Sequence, residues 1–227
     1  MEEIDLGQMI LIDKPLRWTS FDVTKKLKFA GKFKKIGHAG TLDPLATGLL
    51  ILCTGKMTKQ IDTYQAQEKE YTGVFELGKT TPSVDLETDF DKFYETNSIT
   101  EQAIYETRDK LLGKISQIPP VYSAIKVDGK RAYKSAREGI ELVLKSREVE
   151  ISVFEIDIKA FPKISFRIVC TKGTYIRSLV RDFGVLLNNG AYLAELRRTR
   201  IGDYRIENAQ SIESYIETQL KSENKEQ

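Results

Sequence analysis

The sequence is poor in the residues that metal sites, disulfides and membrane spans require. It holds one histidine, two cysteines and one tryptophan in 227 residues. A zinc site draws on several cysteine and histidine ligands at close spacing, and with no CxxC pair the soft donors are too few for one. Cys53 and Cys170 each end an apolar run, Leu-Leu-Ile-Leu-Cys and Phe-Arg-Ile-Val-Cys, where a thiol is expected to be buried and free. The longest apolar run, Leu49 to Cys53, is far short of the roughly 20 residues that cross a bilayer and suits a buried strand. The first five residues, Met-Glu-Glu-Ile-Asp, carry neither the basic nor the apolar region of a secretory signal. A cytoplasmic protein with no membrane partner is expected.

What is present describes an ordinary globular chain, 41% hydrophobic and 30% charged, long enough for a sizeable core. The net charge of +2 hides segregation. Lys14 to Lys35 holds eight Lys/Arg against one acid, Asp22; Lys163 to Arg205 holds nine against three; eight acids gather between Asp85 and Asp109. Charge divided in this way can give a nearly neutral protein a positive face, which suits phosphates.

Met9 to Ile12 reads as a short strand. Ser20 is placed to cap a helix with Val23, Leu27 and Ala30 on one face and Gly31 at its end. Gly37 to Gly48, with three glycines and a proline in twelve residues, reads as a loop before a strand at Leu49 to Cys53, and a helix follows with Met57, Ile61 and Tyr64 on one side. Lys69 to Leu77 alternates as a strand. Ser98 to Glu101 forms the pattern of a capping box, opening a helix that closes near Gly113. Val121 to Val127 is extended before a turn at Asp128-Gly129. Val149 to Ile158 and Ile164 to Cys170 are strands, and Thr174 to Leu187 and Ser211 to Leu220 are helices. Strands and helices mix without regular β-α alternation, so the expected class is α+β: a mixed, largely antiparallel central sheet with flanking helices.

Asp43 sits in the run Gly37-His38-Ala39-Gly40-Thr41-Leu42-Asp43-Pro44-Leu45-Ala46-Thr47-Gly48. An isolated Asp-Pro step is a turn in which the aspartate accepts a local hydrogen bond. Here the step lies in a glycine-rich loop tied to a buried strand, with the only histidine five residues earlier. Such a loop can bring backbone and carboxylate close to a ligand.

These residues resemble those of a known family, the bacterial tRNA pseudouridine-55 synthases of the TruB family. Leu11 to Pro15 with Trp18-Thr19-Ser20, the Gly37 to Gly48 run, Lys69-Glu70-Tyr71, Leu77-Gly78 and Thr88-Asp89 match its motifs in order. So do Gln117 to Ala124 with Lys126, Cys170 through Gly173-Thr174-Tyr175-Ile176-Arg177, and Leu196 to Arg200. The resemblance covers residues 9 to 205 and implies the pseudouridine synthase fold. It implies that Asp43 is the nucleophile, attacking C1′ of the ribose or C6 of the ring, and that Arg177 pairs with it. It implies that Tyr71 stacks on the flipped uracil, that Tyr175 and Leu196 line the uridine pocket, and that His38 contacts RNA beside the flipped nucleotide. Lys14 and Pro15 are read as structural supports beneath the site.

The implied partner is the T-arm stem-loop of tRNA, bound by a monomer. No cofactor or metal is expected, since isomerisation only rearranges atoms of the substrate, and the chain lacks the glycine-rich patterns that bind nucleotides. The implied organisation is one catalytic domain over residues 1–220, with an RNA-binding insertion at about 115–147 and a disordered tail at 221–227. A C-terminal PUA-type domain, usual in bacterial members, is expected to be absent. Three other readings remain: a tRNA-folding chaperone with secondary catalysis, a glycosidase-like hydrolase, which would need a second carboxylate, and the same chemistry on another uridine.

Overall fold

A computed structural model describes residues 6–122, 126–127, 130–131 and 144–223. Among the described residues its main sheet has nine strands and is mixed but largely antiparallel, as the sequence indicates. Along the chain run β1 (Met9–Lys14), α1 (Ser20–Ala30), β2 (Ile36–His38), β3 (Ala46–Thr54), a 3-10 helix (Gly55–Gln60), α2 (Ile61–Ala66) and β4 (Lys69–Leu77). Next come β5 (Lys79–Thr80), β6 (Lys92–Phe93), α3 (Glu101–Lys110), β7 (Gly113–Gln117), β8 (Lys126–Val127), β9 (Lys130–Arg131), β10 (Arg147–Asp157) and β11 (Lys163–Cys170). The last elements are α4 (Ile176–Leu186), β12 (Ala191–Ile201), β13 (Tyr204–Arg205), a second 3-10 turn (Ile206–Asn208) and α5 (Ile212–Glu223). The order in the main sheet is β1-β3-β12-β4-β11-β10-β7, with β2 on β3 and β13 on β12, and the β5-β6 and β8-β9 pairs stand apart from it. No helix among the described residues is long and apolar enough to cross a membrane.

The chain forms two compact units, residues 1–71 with 196–227, and residues 72–195. In the first, β3 lies between antiparallel β1 and the parallel last part of β12. Leu49, Leu50, Ile51, Leu52 and Cys53 are all fully buried, because β3 is covered on both faces. Leu50 and Leu52 join Ile10, Ile12, Val23, Leu27, Ile212 and Tyr215 on one face, while Leu49, Ile51 and Cys53 join Ala39 and Ile201 on the other. That two-sided burial is why the segment reads as a continuous apolar run and not as an alternation.

The second unit centres on Phe75, whose ring meets Phe183 of α4 at 4.9 Å and Phe166 of β11 at 6.1 Å. Ile164, Phe166, Ile168 and Cys170 are buried, as their alternation predicts. Both cysteines are buried thiols outside any disulfide.

Several local expectations are corrected. The N-cap of α1 is Thr19, not Ser20, and Asp22 completes its capping box. Ser20 is freed for another contact described below. The N-cap of α3 is Thr100, whose side chain accepts from Ala103, and the helix ends at Lys110; Gly113 opens β7 instead of closing a helix. The Gly37 to Gly48 run is not all loop, since β2 and β3 reach into it from either side. The Met57 to Tyr64 helix begins as a 3-10 turn. Strand β12 has no counterpart in the sequence reading. Helix α5 extends through Glu223, three residues into the expected tail. Residues 224–227, the Asp128-Gly129 turn and most of the 115–147 insertion lie outside the described residues, although β8 and β9 pair on either side of the turn.

Candidate active site

In the first unit, residues 39–45 join β2 to β3 and carry Asp43, which is half-buried. Several backbone polar groups of this loop are held. Ala39 N–H donates to Ile51 O at 2.8 Å, and Ala46 N–H to the Asp43 carbonyl at 3.1 Å. The Ser20 hydroxyl accepts from Leu42 N–H at 2.9 Å and donates to Leu42 O at 3.2 Å. Arg17 N–H donates to Pro44 O at 2.8 Å. A loop whose amides and carbonyls are paired with buried groups resists rearrangement, because any movement strands them.

Two buried cations complete this support. Lys14 is fully buried, and its ammonium donates to the carbonyls of Trp18 at 2.5 Å, Pro15 at 3.0 Å and Pro44 at 3.5 Å. Burial lowers its pKa to about 8, opposed by attraction to Asp43, with Arg198 adding to the fall and Asp22 opposing it. Arg198, 1% exposed, donates through Nε to Leu49 O at 2.8 Å and through Nη2 to Gly40 O at 3.1 Å. Its planar fork spans the start of β3 and the loop at once. The backbone of Arg198 comes close as well: a Cβ on Gly48, where φ is +104°, would lie 2.3 Å from Arg198 O. Only glycine meets both demands there.

His38 ends β2. Burial, with a smaller contribution from Arg198, lowers its pKa, so the ring is neutral at pH 7. Its Nδ1 is buried with no hydrogen-bond partner among the described residues. Tyr71 is 8% exposed, and Leu196 pairs with Ala46 across the parallel step between β12 and β3. Leu196 O also accepts from Thr47 Oγ1 at 3.4 Å. Asp43, His38, Tyr71 and Leu196 thus share the first unit.

Tyr175 and Arg177 belong to the second. Tyr175 is the N-cap residue of α4; its N–H donates to Gln117 Oε1 at 2.8 Å, and the Arg147 guanidinium lies 5.1 Å from its ring centroid. Arg177, 3% exposed, donates to Ser83 O at 3.0 Å and Tyr122 O at 2.8 Å, and its Nε stands 3.6 Å from Asp85 Oδ2. A cation in the first turn of a helix opposes the helix dipole, and these partners offset that cost. The Asp85 turn is itself tightly bound. Val84 is β-branched with φ +62°, and its strained backbone is bonded to Thr81 and Leu193.

The matches with known proteins follow this arrangement. The family described as TruB family pseudouridylate synthase (N terminal domain) matches residues 26–176. The tRNA pseudouridine synthase B of Flavobacterium johnsoniae is 54% identical, over 96% of this chain and 98% of that protein. That of Phocaeicola vulgatus is 50% identical, over 93% and 92%. The chain belongs to the TruB family.

Solved structures that resemble its fold include chains from two complexes. One is a chain in the crystal structure of a Cbf5-Nop10-Gar1 complex, with a TM-score of 0.72 and 28% identity over 94% of this chain. The other is a chain in an H/ACA RNP bound to a substrate RNA containing 2'-deoxyuridine, with a TM-score of 0.69 and 25% identity over 94% of this chain. This chain spans about half of each, 54% and 53%.

Ser20, Gln117 and Arg198, which lie within the TruB-family motifs, and Asp85, which lies outside them, carry supporting contacts that the sequence alone does not assign. Arg198 lay in a recognised motif without a role. A signal for it was there: three arginines in a strand-length segment, Leu196 to Ile201, cannot all face solvent if the segment pairs with buried β3. Asp85 and Ser20 gave no such signal, since each depends on a distant chain segment.

Proposed function

We propose that this chain isomerises a uridine to pseudouridine in the T-arm of tRNA, at position 55, with the Asp43 carboxylate as nucleophile. The observation that carries this reading is the fixed loop around Asp43: a half-buried carboxylate on a backbone whose neighbours are bound by Ser20, Lys14 and Arg198. Such pre-organisation suits a group that must meet one atom of a flipped base, because orientation lowers the barrier only when it is already in place. Membership of the TruB family and the names of the relatives support the same activity.

In this reading the C1′–N1 bond breaks, the ring turns, and a C1′–C5 bond forms. C5 loses a proton and N1 gains one, so no atom enters from outside. Asp43 must be ionised to act, and the Lys14 ammonium attracts its charge. Tyr71 stacks on the extruded uracil, which has lost its neighbours in the RNA, and takes the C5 proton. Tyr175 and Leu196 shape the uridine pocket, and neutral His38 contacts the RNA beside the flipped nucleotide. Arg177 is assigned the cation that acts with the nucleophile. Its guanidinium is already neutralised in part by Asp85, which fixes its orientation. The protein works as a monomer on this account, without cofactor.

The test is incubation of the purified protein with an unmodified tRNA transcript, followed by mapping of pseudouridine. Conversion of one T-arm uridine, that at position 55, supports the proposal. Conversion only elsewhere would move the substrate, and release of free uracil would make the protein a hydrolase.

A further inference from the structure

Helix α1 buries Ser20, Val23 and Leu27. Its opposite face presents Phe21, Lys25, Lys28 and Phe29, at i, i+4, i+7 and i+8, the spacing of one helical stripe. Phe21 is 68% and Phe29 72% exposed. Lys26 flanks the stripe, and exposed Lys32, Lys34 and Lys35 continue the charge beyond Gly31. The one acid of the helix, Asp22, is occupied by its cap: its carboxylate accepts from Thr19 N–H at 3.0 Å and Thr19 Oγ1 at 2.5 Å. Its pKa is lowered chiefly by those bonds.

We propose that this outer face of α1 is a second RNA contact, which takes the phosphate backbone leading away from the nucleotide held at the Asp43 loop. The proposal rests on the function argued above. Cations supply the affinity for phosphate, and exposed aromatic rings among them offer stacking surface, the combination found in single-stranded nucleic-acid grooves. The position fits. Ser20 binds Leu42, so the helix begins against the residue before Asp43, and its eleven residues extend about 16 Å from there. A lipid surface is the less suitable occupant, because an interfacial helix sinks its apolar face into the bilayer. The apolar face of α1 is already packed on Ile10, Ile12, Leu50 and Leu52.

The test compares the parent protein with the triple variant Lys25→Gln/Lys28→Gln/Lys32→Gln on an unmodified tRNA transcript, measuring Kd across a salt series together with kcat and KM. Loss of up to three phosphate contacts is expected to reduce the slope of log K against log salt by about 2–3 and to weaken binding at least about tenfold near physiological salt. The rate at saturating tRNA stays that of the parent. Phe21→Ala/Phe29→Ala is expected to weaken binding several-fold with the slope unchanged. A control with the same charge loss elsewhere, Lys110→Gln/Lys114→Gln/Lys159→Gln, keeps the parent slope.

A triple variant with the parent Kd and slope would overturn the proposal, as would a loss no greater than the control's, or a fall in kcat with Kd unchanged. Binding to anionic phospholipid vesicles that the substitutions abolish, with RNA affinity intact, would assign the face to lipid and overturn it too. A parent that makes no pseudouridine but binds tRNA through these lysines would defeat the functional reading and leave the contact standing.

Discussion

The hydroxyl of Ser20 holds both backbone groups of Leu42, accepting its N–H at 2.9 Å and donating to its carbonyl at 3.2 Å. Ser20 is 1% exposed, so neither group of Leu42 has easy recourse to water once the hydroxyl is gone. Ser20→Ala is therefore expected to cost roughly 1–3 kcal/mol of stability, the price of stranding buried polar groups. Asp43, one residue on, loses its fixed anchor, so kcat falls while tRNA affinity changes little. Denaturant titration and single-turnover kinetics check the two halves.

Arg198 supports the same loop from the other side, through Gly40 O and Leu49 O. Arg198→Lys keeps the charge but not the planar fork, so one carbonyl is left without its donor. A stability loss of about 1–3 kcal/mol is expected, and a larger one for Arg198→Met, which abandons both carbonyls. Thermal and urea unfolding of the two variants would order them; equal stability in all three proteins would contradict the bridging role.

Lys14 gives a pH dependence with a definite sign. Its folded pKa is about 8, below its ordinary 10.5. Between those values the unfolded chain binds more protons than the folded one, so this residue's contribution to stability rises with pH across that window. Below pH 8 both states are charged, and the folded state carries the full burial penalty. The stability difference between parent and Lys14→Met should therefore shift in the parent's favour from pH 7.5 to pH 10. A difference that stays flat across that range would contradict the assignment.

His38 is the only histidine in the chain, which makes it a clean NMR probe. Burial, with Arg198 second, lowers its pKa below the usual 6.5. Below that value the unfolded chain takes up a proton that folded His38 resists, so stability from this residue is present above pH 6.5 and is lost as the pH falls toward the folded pKa. The imidazole resonance should titrate below 6.5 in the folded protein. A midpoint above 6.5 would show a charged, partnered ring and would change its place in RNA contact.

The sequence made the fold class legible because the strands of β3, β4, β10 and β11 carry clear apolar patterns. It failed at β12, where Arg198 is buried among neighbours that look like a solvated basic run. Helix caps went wrong by one or two residues for a related reason. Ser20 and Thr19 are both competent caps, and the choice was made by Leu42, twenty-two residues away, which captures the Ser20 hydroxyl. At the proposed site, Asp43, Tyr71 and Arg177 are singled out by their resemblance to TruB-family motifs. The supporting roles of Ser20, Asp85 and Gln117 were not legible, since their meaning depends on which backbone groups the fold brings to them.

The central claim is that Asp43 performs the isomerisation. Asp43→Asn keeps the shape of the side chain and removes its charge, so it isolates the nucleophile from the loop that carries it. Pseudouridine formation in the T-arm should be measured for this variant beside tRNA affinity. The account predicts no conversion above the uncatalysed background, with tRNA bound nearly as well as by the parent. Conversion at the parent rate would contradict it.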